Sequence, residues 1–112
     1  MTTLRNSVQL IGRLGMDPEV KTFENDQTKV RFTLATSDYY KNKEGERVEE
    51  TQWHNIVAWG RIAKVAENYL NKGKEIALSG KLTNRSYDDK DGNKKYITEI
   101  IANEILMLEK KN

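Results

Sequence analysis

The stretch 51–73, TQWHNIVAWGRIAKVAENYLNKG, changes its hydrophobic period halfway along, and that change decides the fold. Its first half alternates with a period of two. Trp53, Asn55, Val57 and Trp59 fall on one face of an extended chain, and His54, Ile56 and Ala58 on the other. Its second half repeats at helical spacing, with Ile62, Val65, Ala66, Tyr69 and Leu70 at i, i+3, i+4, i+7 and i+8 and Gly73 in the place of a C-cap. A strand therefore runs into a short amphipathic helix. The strand carries the only two tryptophans of the chain on one side, where they build either a core wall or a flat aromatic platform.

Toward the N-terminus, residues 7–14 alternate as a strand whose Gly12 suits a sharp bend or a close backbone approach. Residues 15–18, ending in the only proline, punctuate it. Residues 19–24 read as a short polar strand with Val20 and Phe23, turned by Asn25-Asp26-Gln27. Residues 29–36 alternate cleanly, with Val30, Phe32 and Leu34 inward and Arg31, Thr33 and Ala35 on the other face. Residues 37–50 read as a long polar link carrying Tyr39, Tyr40 and a turn at Gly45, too charged to be core. Beyond the helix, residues 75–87 set Ile76, Leu78, Gly80 and Leu82 against Lys81, Thr83, Arg85 and Tyr87. Asp91-Gly92-Asn93 then turns a hairpin into a last strand over 94–108.

Counted without the short polar strand over 19–24, the order is three strands, one helix, two strands. One short helix between the third and fourth strands of five is the connectivity of the oligonucleotide-binding (OB) barrel, which places nucleic-acid contacts on strands two and three and on the loops. A mainly β, five-stranded OB-fold barrel with long hairpin loops is the expected fold. At 112 residues the chain is expected to be one such domain, 1–112.

The totals exclude several function classes. With no cysteine there is no disulfide, thiol nucleophile or Cys-zinc site, and one histidine makes a multi-His metal site hard to assemble. No cofactor or metal is expected, and no apolar run approaches membrane-spanning length. The balance of 19 Lys and Arg against 17 Asp and Glu leaves a net charge of +2, so the distribution of charge matters more than its sum. With 32% charged against 37% hydrophobic residues, the core is expected to be small, with long exposed hairpins or an oligomer.

Tyr39, Tyr40, Trp53, Trp59 and Tyr87 lie off the core faces or in charged hairpins, beside Arg31, Lys41, Lys43, Arg61, Lys72, Lys81 and Arg85. Each alone has an ordinary explanation, since a strand tryptophan is more often core and a lysine is usually just solvated. Together they suit single-stranded nucleic acid. A base on an aromatic ring contributes roughly 1–3 kcal/mol whatever its identity, and cations beside the rings hold the phosphates. Tyr69 and Tyr96 read as structural, and His54, opposite the tryptophans, as a packed or interface residue. The carboxylates Glu44, Glu46, Glu49 and Glu50 and Asp88, Asp89 and Asp91 fall on separate hairpin tips, which disfavours a metal-dependent nuclease. No enzymatic activity is expected.

The motifs GRLGMDPE at 12–19, TLATS at 33–37, Trp53-His54 with Trp59-Gly60, Tyr69-Leu70 with Lys72-Gly73, and Gly80-Lys81-Leu82 resemble the bacterial single-stranded-DNA-binding protein family over about residues 5–108. The resemblance implies an OB barrel assembled as a homotetramer around which single-stranded DNA wraps. It also implies coating without strong sequence preference in replication, repair and recombination, in the cytoplasm with the nucleoid. The family's stacking positions match Tyr40, Trp53, Trp59 and Tyr87, and its phosphate-contacting positions match Lys21, Lys43, Arg61, Lys72 and Arg85. Tyrosine stands at two stacking sites where tryptophan is common, and Trp59 where phenylalanine is; Ser7, Thr83 and Ser86 replace basic positions. A primosome-type relative that acts mainly as an adaptor would keep fewer stacking aromatics. Family members usually continue into a flexible linker and an acidic tip that recruits replication and repair proteins. This chain stops at Glu109-Lys-Lys-Asn112, so DNA binding without that recruitment is the expectation.

Overall fold

The alternation that defines the third strand carries through to packing. In a computed structural model, which describes residues 4–108, Thr28, Val30, Phe32 and Leu34 are buried while Lys29, Arg31, Thr33 and Ala35 between them are half-buried. Residues 1–3 and 109–112, including the expected tail-less end, lie outside the described residues.

The elements run β1 (Val8–Leu14), β2 (Glu19–Thr22), β3 (Thr28–Lys41), β4 (Arg47–Trp59), α1 (Gly60–Tyr69), β5 (Glu75–Asp88) and β6 (Lys94–Met107), after a 3-10 turn over Leu4–Asn6. The strand order is β1-β5-β6-β4-β3-β2, and β1 also pairs with β3. That extra pairing closes β1, β3, β4, β6 and β5 into a five-stranded barrel, with β2 as a sixth strand outside it on the edge of β3. Among the five closing strands α1 follows the third, as the OB connectivity requires. The closing seam is short, only Arg13 opposite Ala35 and Leu14 opposite Leu34. Gly12 permits it, because a Cβ there would run into the carbonyl oxygen of Ala35.

The core joins Phe32, Leu34, Ile56, Ile76, Leu78 and their neighbours to Ala63, Ala66 and Leu70 of the helical segment. Two alanines on the buried stripe let the helix lie close to the barrel. Tyr69, expected in that stripe, is instead 58% exposed, because the buried face runs through Ala63 rather than Tyr69. The turn from strand into helix falls on Gly60, whose φ of 62° favours glycine. Gly73 is not the C-cap. Leu70 caps the helix in extended conformation, its N–H donating to the Ala66 carbonyl. Gly73 sits in the following turn, where its N–H donates to the Leu14 carbonyl at 2.8 Å.

The largest difference from the sequence reading concerns residues 37–50. They are no link but the outer half of a β3–β4 hairpin, paired without a break from Lys29 opposite Trp59 to Lys41 opposite Arg47. Polar residues on both faces conceal such a ribbon, since it leaves the core behind and no longer alternates in hydrophobicity. Its tip is shaped by Asn42, whose Oδ1 accepts from the Glu44 and Glu46 N–H groups at 3.0 and 2.9 Å. The β5–β6 hairpin forms a second arm, and its turn is built the same way on Asp89. No helix among the described residues is long and apolar enough to cross a membrane.

Candidate nucleic-acid interface

Partners directly opposite in a ladder project from the same face, so the register shows which side chains share a surface. On β4 the ring face carries Trp53, Asn55, Val57 and Trp59, opposite Ala35, Thr33, Arg31 and Lys29 of β3. The parallel pairing of β4 with β6 sets Val57 opposite Ile101 and so carries that face onto β6. From there Ile101, Glu99, Ile97 and Lys95 lie opposite Lys81, Thr83, Arg85 and Tyr87 of β5. One outer sheet face therefore unites Trp53, Trp59 and Tyr87. His54, Ile56 and Ala58 take the other side, where Ile56 and Ala58 are fully buried and His54 Nε2 lies 3.0 Å from Thr36 Oγ1.

Trp53 is 63% exposed and rests on Gly15, where a Cβ would collide with the ring. The close approach leaves one side of the indole supported and the rest open. Trp59 is 39% exposed and is not alone: Phe23 stacks on it with ring centroids 5.8 Å apart and planes 19° from parallel. The Lys21 ammonium lies 5.3 Å from the Phe23 centroid, and that of Lys29 5.4 Å from the Trp59 centroid. This corner of two rings and two cations includes Phe23 and Lys29, which the sequence reading left out. The signal was available for Lys29, since a turn centred near residue 44 pairs positions that sum to 88, which sets Lys29 against Trp59.

The basic residues divide. Arg31 is turned onto Glu19, with Nε and Nη2 donating to Oε1 at 3.1 and 2.6 Å, so its charge is already partnered. Arg85 forks onto Glu99, with Nε to Oε1 at 3.0 Å and Nη2 to Oε2 at 3.3 Å. Glu99 is a buried carboxylate on the ring face, and its hydrogen bond and charge raise the Arg85 pKa further. Arg85 therefore first neutralises Glu99 and has only its remaining N–H groups for a ligand. Lys21 and Lys81 are exposed on the ring face, Lys43 is exposed near the tip of the β3–β4 arm, and Lys72 is exposed in the turn after α1. Arg61, in the first turn of α1, opens onto a hollow shared with Ile62, Val65, Ser79 and Glu104 rather than onto the rings.

Tyr40 does not join the ring face. The unbroken register sets it opposite Val48, on the side that continues Phe32 and Leu34, whereas Tyr39 lies opposite Glu49 on the tryptophan side. Both tyrosines are about half exposed. Among the described residues no group of three His, Cys, Asp or Glu side chains is placed to hold a metal ion. What the face offers chemically is flat π-surface for bases with ammonium groups at its margin for phosphates.

The chain is similar in sequence and in fold to known proteins. A relative named single-stranded DNA-binding protein 1, from Chlorobaculum tepidum, is 48% identical over 104 residues, covering 92% of this chain and 64% of its own length. The single-stranded DNA-binding protein of Neisseria meningitidis serogroup A is 43% identical over 107 residues, covering 96% of this chain and 62% of its own. The chain thus spans just under two thirds of these relatives. A solved Plasmodium falciparum SSB in complex with ssDNA superposes with a TM-score of 0.87 at 29% identity, covering 97% of this chain and 99% of that one. Residues 5–108 match the profile of the single-strand binding protein family, which takes in every barrel strand, and the chain belongs to that family.

Proposed function

We propose that this chain binds and coats single-stranded DNA with little sequence preference, without catalysis, and protects unwound strands in replication, repair and recombination. The observation that carries the reading is the single sheet face on which Trp53, Trp59 and Tyr87 stand exposed with lysines at its margin. Stacking accounts for the lack of sequence preference, because every base has a π-face. Membership of the family and the likeness to a relative solved with ssDNA support it. The bacterial cytoplasm, where such DNA is found, is the proposed location. The reading concerns a single OB-fold domain; recruitment of replication and repair proteins is no part of it. Tyr40, the fourth stacking position that the resemblance implies, would be reached only by a strand that turns over the edge of the hairpin.

The electrostatic half of this reading is tested by titration at several salt concentrations. If Lys21, Lys43 and Lys72 hold phosphates, log affinity for oligo-dT falls linearly with log salt, by about 0.7 per neutralised phosphate. Neutral replacements at these three positions flatten the slope. A slope near zero in the unmodified protein would mean that the lysines form only a solvated face.

A homotetramer is the proposed assembly. Between Val8 and Gly12, β1 pairs with β5 alone among the described residues, which leaves its other edge free. Beside that edge Ile11 and Leu106, each about 60% exposed, flank Ala77 across the β1, β5 and β6 ladders. An open edge next to an apolar stripe is a surface that a second copy would cover. Light scattering at micromolar concentration is expected to report a multiple of the 13.0 kDa chain mass, and a monomer would contradict the assembly.

A further inference from the structure

Asp17 lies in the loop between β1 and β2, is exposed, and enters no ion pair among the described residues. It precedes Pro18, the only proline, which keeps the residue before it extended and stiffens the loop. Its Oδ1 accepts the backbone N–H of Lys72 at 2.8 Å. Lys72 belongs to the tight turn that joins α1 to β5. There the Lys74 N–H donates to the Asn71 carbonyl at 3.1 Å, and Gly73 has the positive φ, 90°, that the third residue of a type II turn requires. That hydrogen bond uses the first and fourth residues and leaves the Lys72 N–H without a partner inside the turn. Gly73 and Lys74 are tied to β1 separately. The Gly73 N–H donates to the Leu14 carbonyl, the Leu14 N–H to the Lys74 carbonyl, and Arg13 Nη1 to the Gly73 carbonyl, at 2.8, 3.1 and 2.9 Å. Asp17 therefore holds the tip residue that β1 does not. Among the cations of this corner, Arg13 is turned onto Gly73 and Glu75, and Lys74 Nζ donates to the Tyr69 carbonyl. The Lys72 ammonium enters no ion pair among the described residues.

The other end of the loop touches the rings. Gly15, two residues before Asp17 and so within about 7 Å of it along the chain, lies against Trp53. Gly15 is fixed by a bond of its own, its N–H donating to the Thr33 carbonyl at 3.0 Å. One stiff loop thus ties the platform at Gly15 to the lysine turn at Asp17. On the reading of the ring face as a single-stranded DNA platform, on which this rests, we propose that Asp17 is a positioning residue for DNA binding. Through the Lys72 N–H it holds the turn at a set distance from Trp53, so that the Lys72 ammonium meets a phosphate of the strand that crosses that ring. A lysine side chain is flexible along its length, so what the fold can fix is the backbone from which it swings. Fixing that backbone in the free protein removes an ordering cost from binding. The carboxylate by itself repels phosphates, so Asp17 serves binding only as an acceptor for the turn it holds.

The test compares Asp17→Ala with Asp17→Asn in oligo-dT titrations at several salt concentrations, each in the natural chain and in Lys72→Gln. Both substitutions remove the same charge, but only asparagine keeps an oxygen that can accept the Lys72 N–H. Lys72→Gln alone is expected to lower the salt slope by about 0.7 and to weaken binding about fivefold at about 0.1 M salt, the share of one phosphate. Asp17→Ala is expected to bind about two- to threefold more weakly than Asp17→Asn, with a lower salt slope, as part of that share is lost. In the Lys72→Gln background the two Asp17 variants are expected to bind alike, because the residue they act through is gone. Thermal unfolding of the two should coincide closely, since the loop is exposed and Gly15, Gly73 and Lys74 keep their own bonds. Equal binding by Asp17→Ala and Asp17→Asn in the natural chain would overturn the proposal. So would a difference of the same size in the Lys72→Gln background, which would mean a general loosening of the loop, or a Lys72→Gln protein that binds like the unmodified one. Each of these outcomes leaves the platform intact. Absence of oligo-dT binding by the unmodified protein would instead remove the platform itself, and this proposal with it.

Discussion

Leu34→Ala is expected to cost about 2–5 kcal/mol of unfolding free energy, in the upper part of that range, because it opens a cavity at the barrel's weakest joint. Leu34 is fully buried and stands opposite Leu14 in the two-pair seam that closes β1 onto β3. Its side chain also lies beneath Gly12, close to where a Cβ would be, so the strand above it has no side chain with which to fill the space. The neighbours Phe32 and Ile56 belong to the same core and are paired with each other across β3 and β4, with Ile56 also paired to Ile100 of β6, which limits collapse into the hole. Leu78→Ala, in the core on β5 away from that seam, is expected to fall lower in the same range. Denaturant unfolding at one fixed protein concentration measures both, since assembly would make apparent stability depend on concentration. A Leu34→Ala protein as stable as the wild type would mean that the seam is not part of the folded barrel.

What could be read without coordinates follows from where burial imposes a pattern. β3 from Thr28 to Ala35 and β4 from Trp53 to Trp59 pass over the core, so one face had to be apolar and the faces could be assigned by counting. The same count placed His54 away from the tryptophans and brought Tyr87 and Arg85 to one side of β5. Past Ala35 the ribbon leaves the core, and both faces become polar. Continued pairing was therefore invisible, and Tyr39 could not be told from Tyr40 by composition. The ion pairs of Arg31 with Glu19 and Arg85 with Glu99 were hidden for another reason. They join β2 to β3 and β5 to β6, and depend on register rather than on local spacing. Phe23 was seen but placed in a strand. It closes the β2–β3 turn, its N–H donating to the Gln27 carbonyl at 2.8 Å, and from there its ring reaches Trp59.

Trp53→Ala is expected to do the reverse of Leu34→Ala. The ring is mostly exposed and makes its support contact with Gly15, so its removal should shift thermal unfolding little. Affinity for oligo-dT should fall by roughly 1–3 kcal/mol, the worth of one stacked base. Both residues sit on paired strands of the same barrel and differ in the face they occupy, so the pair of substitutions separates platform from core. If Trp53→Ala unfolded the protein, the indole would be a core wall, and the outer face would have no claim to a ligand. Trp59→Ala is a less clean probe, because Phe23 remains beside the vacated position and presents a ring of its own.

The most direct measurement is the emission of the unmodified protein as it is titrated with oligo-dT and, separately, with duplex DNA of equal length. Trp53 and Trp59 are the only tryptophans of the chain, and both stand on the proposed platform, so the signal reports that face alone. Single-stranded DNA should quench it strongly, because unpaired bases can stack on the indoles, and duplex should quench it far less, because its bases are already stacked on one another. Quenching that is absent, or equal for single strand and duplex, would contradict the account.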